Sequence, residues 1–285
     1  MKIAFWSEEK KVGTTFNMSV IACASVLMYP ISIAVISGSY HDEDLERNFL
    51  GGKKNSILRP LSKIKNEELE NFILIAEQQE CYITSGLDYL LYKTQQENLT
   101  EQVIKENMRQ VIENRMYCLP TSNLKEQEWW HRDKFFIRME RVVKAIENCF
   151  DVVFIDCGSR KDDFAQKMLQ EAEVCVLNME QRAELIGDYY RNSHKFRGKT
   201  FFLVGKYFKD ALYTRKNLER IYRIEEDILG AIPYNAQMQD AGRVGKIENR
   251  IKDYIGNDIK GKSIEFEKEL IRSTRLILKQ AGIII

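Results

Sequence analysis

The chain has 285 residues, 44% of them hydrophobic and only four of them proline, with 43 Lys and Arg against 42 Asp and Glu. That length supports one large α/β domain or two small ones, and the apolar share supports a substantial core. Sparse proline and the lack of low-complexity tracts exclude long disordered segments, and a net charge near +1 gives no global field that would attract or repel nucleic acid.

The first element is the apolar run 2–6, "KIAFW". Charged residues break it at once, so it reads as a strand and not as the apolar part of a signal peptide. A polar loop, "SEEKKVGTT", leads into a helix over 14–28. The uncharged run "MSVIACASVLMYPISIAVI" is long enough to suggest a membrane span, but Pro30 divides it into a helix-sized piece and the strand 32–37. Residues 66–94 read as two helices. The stretch 100–113, "TEQVIKENMRQVIE", reads as a third, with a threonine cap and Val, Ile and Met at helical spacing. Further strands are expected at 115–119, 151–156, 173–178, 200–205 and 228–232, and further helices at 127–149, 180–195, 211–223 and 260–281.

The strand runs are near-continuously apolar, which marks strands buried on both faces in a parallel sheet covered by helices. The pattern predicts a doubly wound α/β fold with a mostly parallel sheet of about seven strands flanked by helices. No linker divides it, so one domain is expected over 1–285, with a helical insertion around 41–113 and a C-terminal helix at 260–281. Ligands in such sheets bind beyond the carboxyl ends of the strands, which directs attention to the loops after Trp6, Ser37, Asp156, Asn178, Gly205 and Ile232.

The six cysteines form no CxxC pair and sit mostly in apolar runs such as "IACAS" and "VCVLN". They are expected to be reduced core thiols of a cytosolic protein and not zinc ligands or disulfides. The three histidines lie far apart in sequence, which speaks against a histidine metal site or a histidine-based triad.

Three post-strand segments carry possible chemistry. The loop "EEKKVGTTF" keeps Gly13 and the Thr14-Thr15 pair at the start of a helix, a place that favours anions. A Walker-type phosphate loop also needs further glycines and a lysine on the phosphates; here Glu8, Glu9, Lys10 and Lys11 stand in the preceding positions. "FDVVFIDCGS" is an apolar strand ending in Asp156, the form of a Walker B segment, though an aspartate there also caps turns. "ILGAIPYNAQMQDAGRVGK" is a strand ending in Ile-Pro, then a polar loop and a helix.

Together and in this order, the three segments resemble the MinD/ParA family of deviant-Walker P-loop ATPases, whose pattern is "KGGVGKTT", then "hhIID", then "hhGxIPxD…A…G". The resemblance covers nearly the whole chain, and the last segment is its most specific part. "VGTTFNMSVIACAS" and the helix and strand ending "MYCLP" are closest to the CpaE/TadZ-like branch, which localises pilus and secretion machinery and commonly has a small residue in place of the P-loop lysine. The resemblance implies that Lys10, Lys11, Val12, Gly13, Thr14, Thr15 and Phe16 border the phosphates of ATP or ADP. It implies that Thr15 and Asp156 serve Mg²⁺, and that Pro233, Tyr234 and Asn235 border the base. It also exposes departures. The family's signature lysine falls on Glu9, its two glycines on Lys10 and Lys11, and the acidic pair of its second strand on Ser37 and Ser39. Gly205 and Lys206 stand where the family has the asparagine that reads adenine.

No residue is assigned a catalytic role. The resemblance implies a nucleotide-binding fold with a degenerate site, a weak or inactive ATPase acting as a homodimer with protein partners of a surface or secretion machine; the alternatives are an active ATPase that partitions DNA or protein cargo and a scaffold that binds no nucleotide. The C-terminal amphipathic helix either binds a membrane surface or docks on the sheet. Trp129, Trp130, Phe135 and Phe136, interleaved with basic residues, read as core and not as a nucleic-acid stacking surface. The locally basic stretch after Arg243 is diluted by Glu248, Asp253 and Asp258, so nucleic acid is not expected as a partner.

Overall fold

The computed structural model describes residues 1–38, 44–51, 86–94, 99–121, 132–159, 161–182, 196, 198–256 and 264–284. In chain order the elements are β1 (Lys2–Trp6), α1 (Thr14–Met28), β2 (Ile33–Ser37), α2 (Asp44–Leu50), α3 (Leu87–Lys93), α4 (Glu101–Glu106), β3 (Arg109–Ile112), β4 (Met116–Cys118) and α5 (Arg132–Glu147). They continue with β5 (Val152–Gly158), α6 (Asp163–Glu171), β6 (Val174–Met179), β7 (Thr200–Tyr207), α7 (Arg215–Tyr222), β8 (Leu229–Pro233), α8 (Ala236–Arg243), α9 (Ile247–Gly256) and α10 (Ile264–Gln280).

The strands form one sheet in the order β3-β4-β2-β5-β1-β6-β7-β8, parallel except for the β3–β4 pair. From β1 the chain first runs to one side of the sheet and later to the other. The direction reverses beside β1, which is where a crevice opens at the carboxyl ends of an open α/β sheet. Alternate side chains feed two cores. Ala4 and Trp6 point into the one shared with α5 and α6, and Ile3 and Phe5 into the one shared with α1, α9 and α10.

Helix α1 is apolar or small on every side from Met18 to Val26, and the whole stretch is buried. Such a helix belongs inside, and it lies between the sheet and helices α9 and α10. Pro30 does separate it from β2, as the sequence indicated. No helix among the described residues is long and apolar enough to cross a membrane.

The sheet has eight strands where about seven were expected, and it is mostly parallel and flanked by helices as expected. One expectation needs correction: the helix over 100–113 ends at Glu106. The cause is Asn107, whose side chain donates to the Val103 carbonyl (2.8 Å) and accepts from the Gly86 amide (3.3 Å). That side chain competes with the next helical bond. The chain then enters β3, turns through Asn114 at φ 56° and returns as β4, so β3 forms an antiparallel edge. The insertion is therefore not wholly helical where it is described. Of the two helices expected over 66–94, the described part is α3. The helix expected over 180–195 falls mostly outside the described residues, and Glu180–Arg182 is not helical.

The C-terminal helix docks on the sheet. Phe266, Leu270, Ile277 and Leu278 are buried, and the Ser273 hydroxyl bonds both the Ala231 amide (2.9 Å) and its carbonyl (3.0 Å). Cys23, Cys118, Cys157 and Cys175 are buried free thiols and Cys149 is half-buried. Cys81, Trp129 and Trp130 lie outside the described residues, while Phe136 stacks on Phe164 at 6.2 Å against the core.

Candidate functional site

The loop after β1 is tied down at its start, where the Ser7 amide donates to the Gly158 carbonyl (2.8 Å) and the Ser7 hydroxyl to the Glu9 carbonyl (2.8 Å). It then bends through two left-handed residues, Lys11 at φ 65° and Gly13 at φ 90°. Gly13 is the N-cap of α1 and supplies no side-chain cap, and the first turn carries no acidic residue. The first-turn N–H groups have no intrahelical acceptors. With the helix dipole behind them, they form an anion-favouring end.

Beneath that end lies a buried polar lock. The Asn17 side-chain amide donates to Asn178 Oδ1 (3.0 Å), and the Asn178 amide donates to the Trp6 carbonyl (3.3 Å). Gly205 passes so close that a Cβ there would stand 2.7 Å from Asn17 Nδ2 and 3.1 Å from the Val12 carbonyl oxygen. The ends of β1, β6 and β7 are thus fixed to the first turn of α1.

Asp156, near the end of β5, is the register neighbour of Phe5 on one side and Ser37 on the other. Its carboxylate accepts from the Gly158 amide (2.9 Å), and its backbone carbonyl accepts from Gly38 N–H (2.8 Å). Only glycine fits at residue 38, since a Cβ would stand 2.7 Å from that same carbonyl oxygen. Across the opening, β8 ends at Pro233, and the half-exposed Tyr234 ring stacks on Phe208 with centroids 5.7 Å apart. Helices α2 and α8 form the remaining wall, with Gly242 against Asn48 and Phe16.

These parts enclose a cleft of about 600 Å³, within the range of small-molecule sites. Lys10, Lys11, Val12, Gly13, Thr14, Thr15, Phe16, Asp156, Pro233 and Tyr234 all line it. Asn235 does not. Its side chain caps α8 by accepting from Met238 N–H (3.0 Å) and donates to the Tyr254 hydroxyl (2.7 Å). Sequence reasoning missed Arg47, Asn48 and Arg243, which reach the cleft from α2 and α8. No local pattern marks them, because only the packing of two distant helices brings them there. Ser37 lines the cleft and Ser39 lies outside the described residues.

The two glutamates of the loop are engaged with cations. Glu8 pairs with Lys161 (3.4 Å) and Glu9 with Arg182. Lys206 donates to the Lys11 carbonyl (3.0 Å) and to Glu180 (3.1 Å). Lys10 and Lys11 are exposed and have no ion pair among the described residues. The rim therefore presents positive charge beside an uncapped helix start, which suits a phosphate group. For a divalent cation, the Thr15 hydroxyl and the Asp156 carboxylate are among the side chains at the cleft that could contribute, and Asp44 is a further carboxylate in its lining. Mg²⁺ in phosphate sites takes one or two such ligands and completes its shell with phosphate oxygen and water. Among the described residues no three His, Cys, Asp or Glu side chains gather as a metal-binding group.

The eight-stranded, mostly parallel sheet, with a glycine-bent loop opening α1, an aspartate near the end of β5 beside β1 and a Pro-terminated β8 opposite, has the fold of the ParA and MinD ATPases. Solved structures match it over almost the whole chain. A ParA family ATPase from Chlorobium tepidum superposes with a TM-score of 0.65 at 12% identity, covering 96% of this chain and 98% of that one. MinD from Pyrococcus horikoshii, solved with Mg-ADP, gives 0.59 at 13% identity, covering 99% and 98%. A chain of the MinC:MinD cell division complex of Aquifex aeolicus gives 0.59 at 13% identity, covering 98% and 95%. At such identities the likeness is one of fold. Neither a protein-family model nor a curated protein sequence matches the chain.

Proposed function

We propose that this protein binds ATP or ADP with Mg²⁺ in the cleft after β1 and hydrolyses it very slowly or not at all, acting as a positioning or scaffolding protein. The observation that carries this reading is the pairing of a retained anion-binding helix start with a missing lysine set. Gly13, Thr14 and Thr15 open α1 into the cleft opposite Asp156, while Thr14 follows Gly13 where a P-loop lysine would stand and Glu9 occupies the signature-lysine position.

Phosphoryl transfer in this fold depends on positioning and on stabilising developing charge. Each charged contact of this kind contributes about 2–4 kcal/mol, or roughly 10²–10³ in rate, so losing both lysines lowers turnover by several decades. Binding has other support: first-turn amides, Lys10 and Lys11. Thr15 and Asp156 would hold the magnesium, and Pro233 and Tyr234 would border the base.

A role in placing a pilus, secretion or other surface assembly, through dimers and protein partners, is supported by the "VGTT" loop and the "MYCLP" strand. Isothermal titration of the pure protein with ATP-Mg²⁺, alongside a phosphate-release assay, tests the core of this reading. Saturable binding with turnover far below 1 s⁻¹ is the expected result. Turnover on the order of 1 s⁻¹ would instead mark an active ATPase of the cargo-partitioning kind. No binding heat at millimolar nucleotide would mark a scaffold without nucleotide.

A further inference from the structure

We propose that Lys206 supplies, within the same chain, the phosphate-facing cation that the loop after β1 lacks. The proposal rests on the nucleotide reading above and gives a phosphate-binding role to a residue that the family resemblance places where an adenine-reading asparagine would stand.

Four observations converge on it. Lys206 lines the cleft and its side chain is about half exposed, so its ammonium group is available to a ligand. Its Nζ lies 3.0 Å from the Lys11 carbonyl, in the middle of the loop that bends toward the helix start. The residue before it, Gly205, is pressed against Asn17 and the Val12 carbonyl, so the end of β7 is aimed at that loop by packing that no side chain could share. Finally, Lys206 has φ 49° and its partner Lys11 has φ 65°, two of four non-glycine residues with positive φ among the described residues. A left-handed lysine costs backbone energy. Strain of that kind is held where surrounding structure fixes it, often at working sites.

In the structure Glu180 shares the ammonium at 3.1 Å, and Glu180 is in turn 3.5 Å from Arg182, which also holds Glu9. The carboxylate keeps the cation at the loop. A phosphate entering beside the first turn of α1 would take over one of its three N–H donors. Lysine carries donors only, so the group recognises an anion and not a base edge that needs both donor and acceptor.

Nucleotide titrations on four full-length proteins test this: wild type, Lys206→Gly, Lys206→Arg and Glu180→Gln, each with ATP, ADP and inorganic pyrophosphate. Lys206→Gly removes the cation and also relieves the left-handed backbone, so its melting temperature should hold or rise by about 2 °C. Its affinity should nevertheless fall about 10- to 100-fold, as for loss of a charged hydrogen bond. Lys206→Arg should stay within about threefold of wild type, and Glu180→Gln should bind more tightly. Pyrophosphate should lose as much as ATP, since the contact is to phosphate and not to the base. Wild-type affinity in Lys206→Gly, or an equal loss in Lys206→Arg, overturns the assignment while leaving the cleft a nucleotide site. Failure of the wild type to bind any of the three overturns both.

Discussion

Glu9 illustrates how a residue's meaning changes once its neighbours are known. By the resemblance to MinD/ParA loops it is a carboxylate at the position of their signature lysine, and a carboxylate alone there would repel a phosphate. In the structure it pairs with Arg182 across the mouth of the cleft, and Glu8 pairs with Lys161, so neither stands alone before the helix start. Both pairs are well exposed and contribute little to stability; their effect is on the local field. Glu248 shows the opposite situation. Burial raises the pKa of its carboxyl above the ordinary glutamate value, and one oxygen has no hydrogen-bond partner among the described residues. Its charged form is less favoured folded than unfolded. Stability from this group is therefore fully present below about pH 4.5 and is lost as pH rises through the higher folded value. Glu248→Gln should melt higher than wild type at pH 7, with the difference shrinking as pH falls toward 4.5. A difference that stays constant across that interval would remove burial of the charge as the cause.

At the level of elements, boundaries followed chemistry where the chemistry was local. Helix α1 begins at Thr14, after the left-handed Gly13, and ends just ahead of Pro30, as the sequence indicates. The stretch 100–113 failed because its Val, Ile and Met spacing suits a helix, while Asn107 and Asn114 break it into a helical turn and a hairpin. The hairpin signal, Val111 and Ile112 before an asparagine turn and Tyr117 after it, was present but weaker than the period. Asn235, which the resemblance puts beside the base of a nucleotide, caps α8 with its side chain. Asn235→Ala should accordingly cost about 1–2 kcal/mol of unfolding free energy by chemical denaturation, and Asn235→Asp, which keeps the cap, much less. If Asn235→Ala leaves stability intact but weakens nucleotide binding, the capping role is wrong.

For the whole molecule, the C-terminal helix decides between two readings that its sequence could not separate. An amphipathic helix with an apolar end suits either a lipid surface or a sheet face. Here its apolar side is occupied by β8 and α1, and Ser273 bonds to the backbone of β8. Burying Phe266, Leu270, Ile277 and Leu278 contributes about 1.5–3 kcal/mol each, comparable in total with a domain's net stability of about 5–15 kcal/mol. Deleting residues 264–285 should therefore abolish cooperative thermal unfolding and yield aggregated protein. A deletion variant that melts like the full chain and loses only liposome co-sedimentation would show that the helix serves a membrane instead.

The sequence by itself determined the fold class and the order of the three site segments. Apolar runs buried on both faces, proline breaks and strand-end motifs are all encoded within a few neighbouring residues. It also showed that threonine and not lysine follows Gly13, which needs no coordinates. Only the tertiary structure decided what surrounds that position. The pairing of Glu9 with Arg182, the lock of Asn17 on Asn178 and the approach of Lys206 to Lys11 join residues more than 150 positions apart. Contacts of that span depend on how β1, β6 and β7 lie side by side, which no local pattern records.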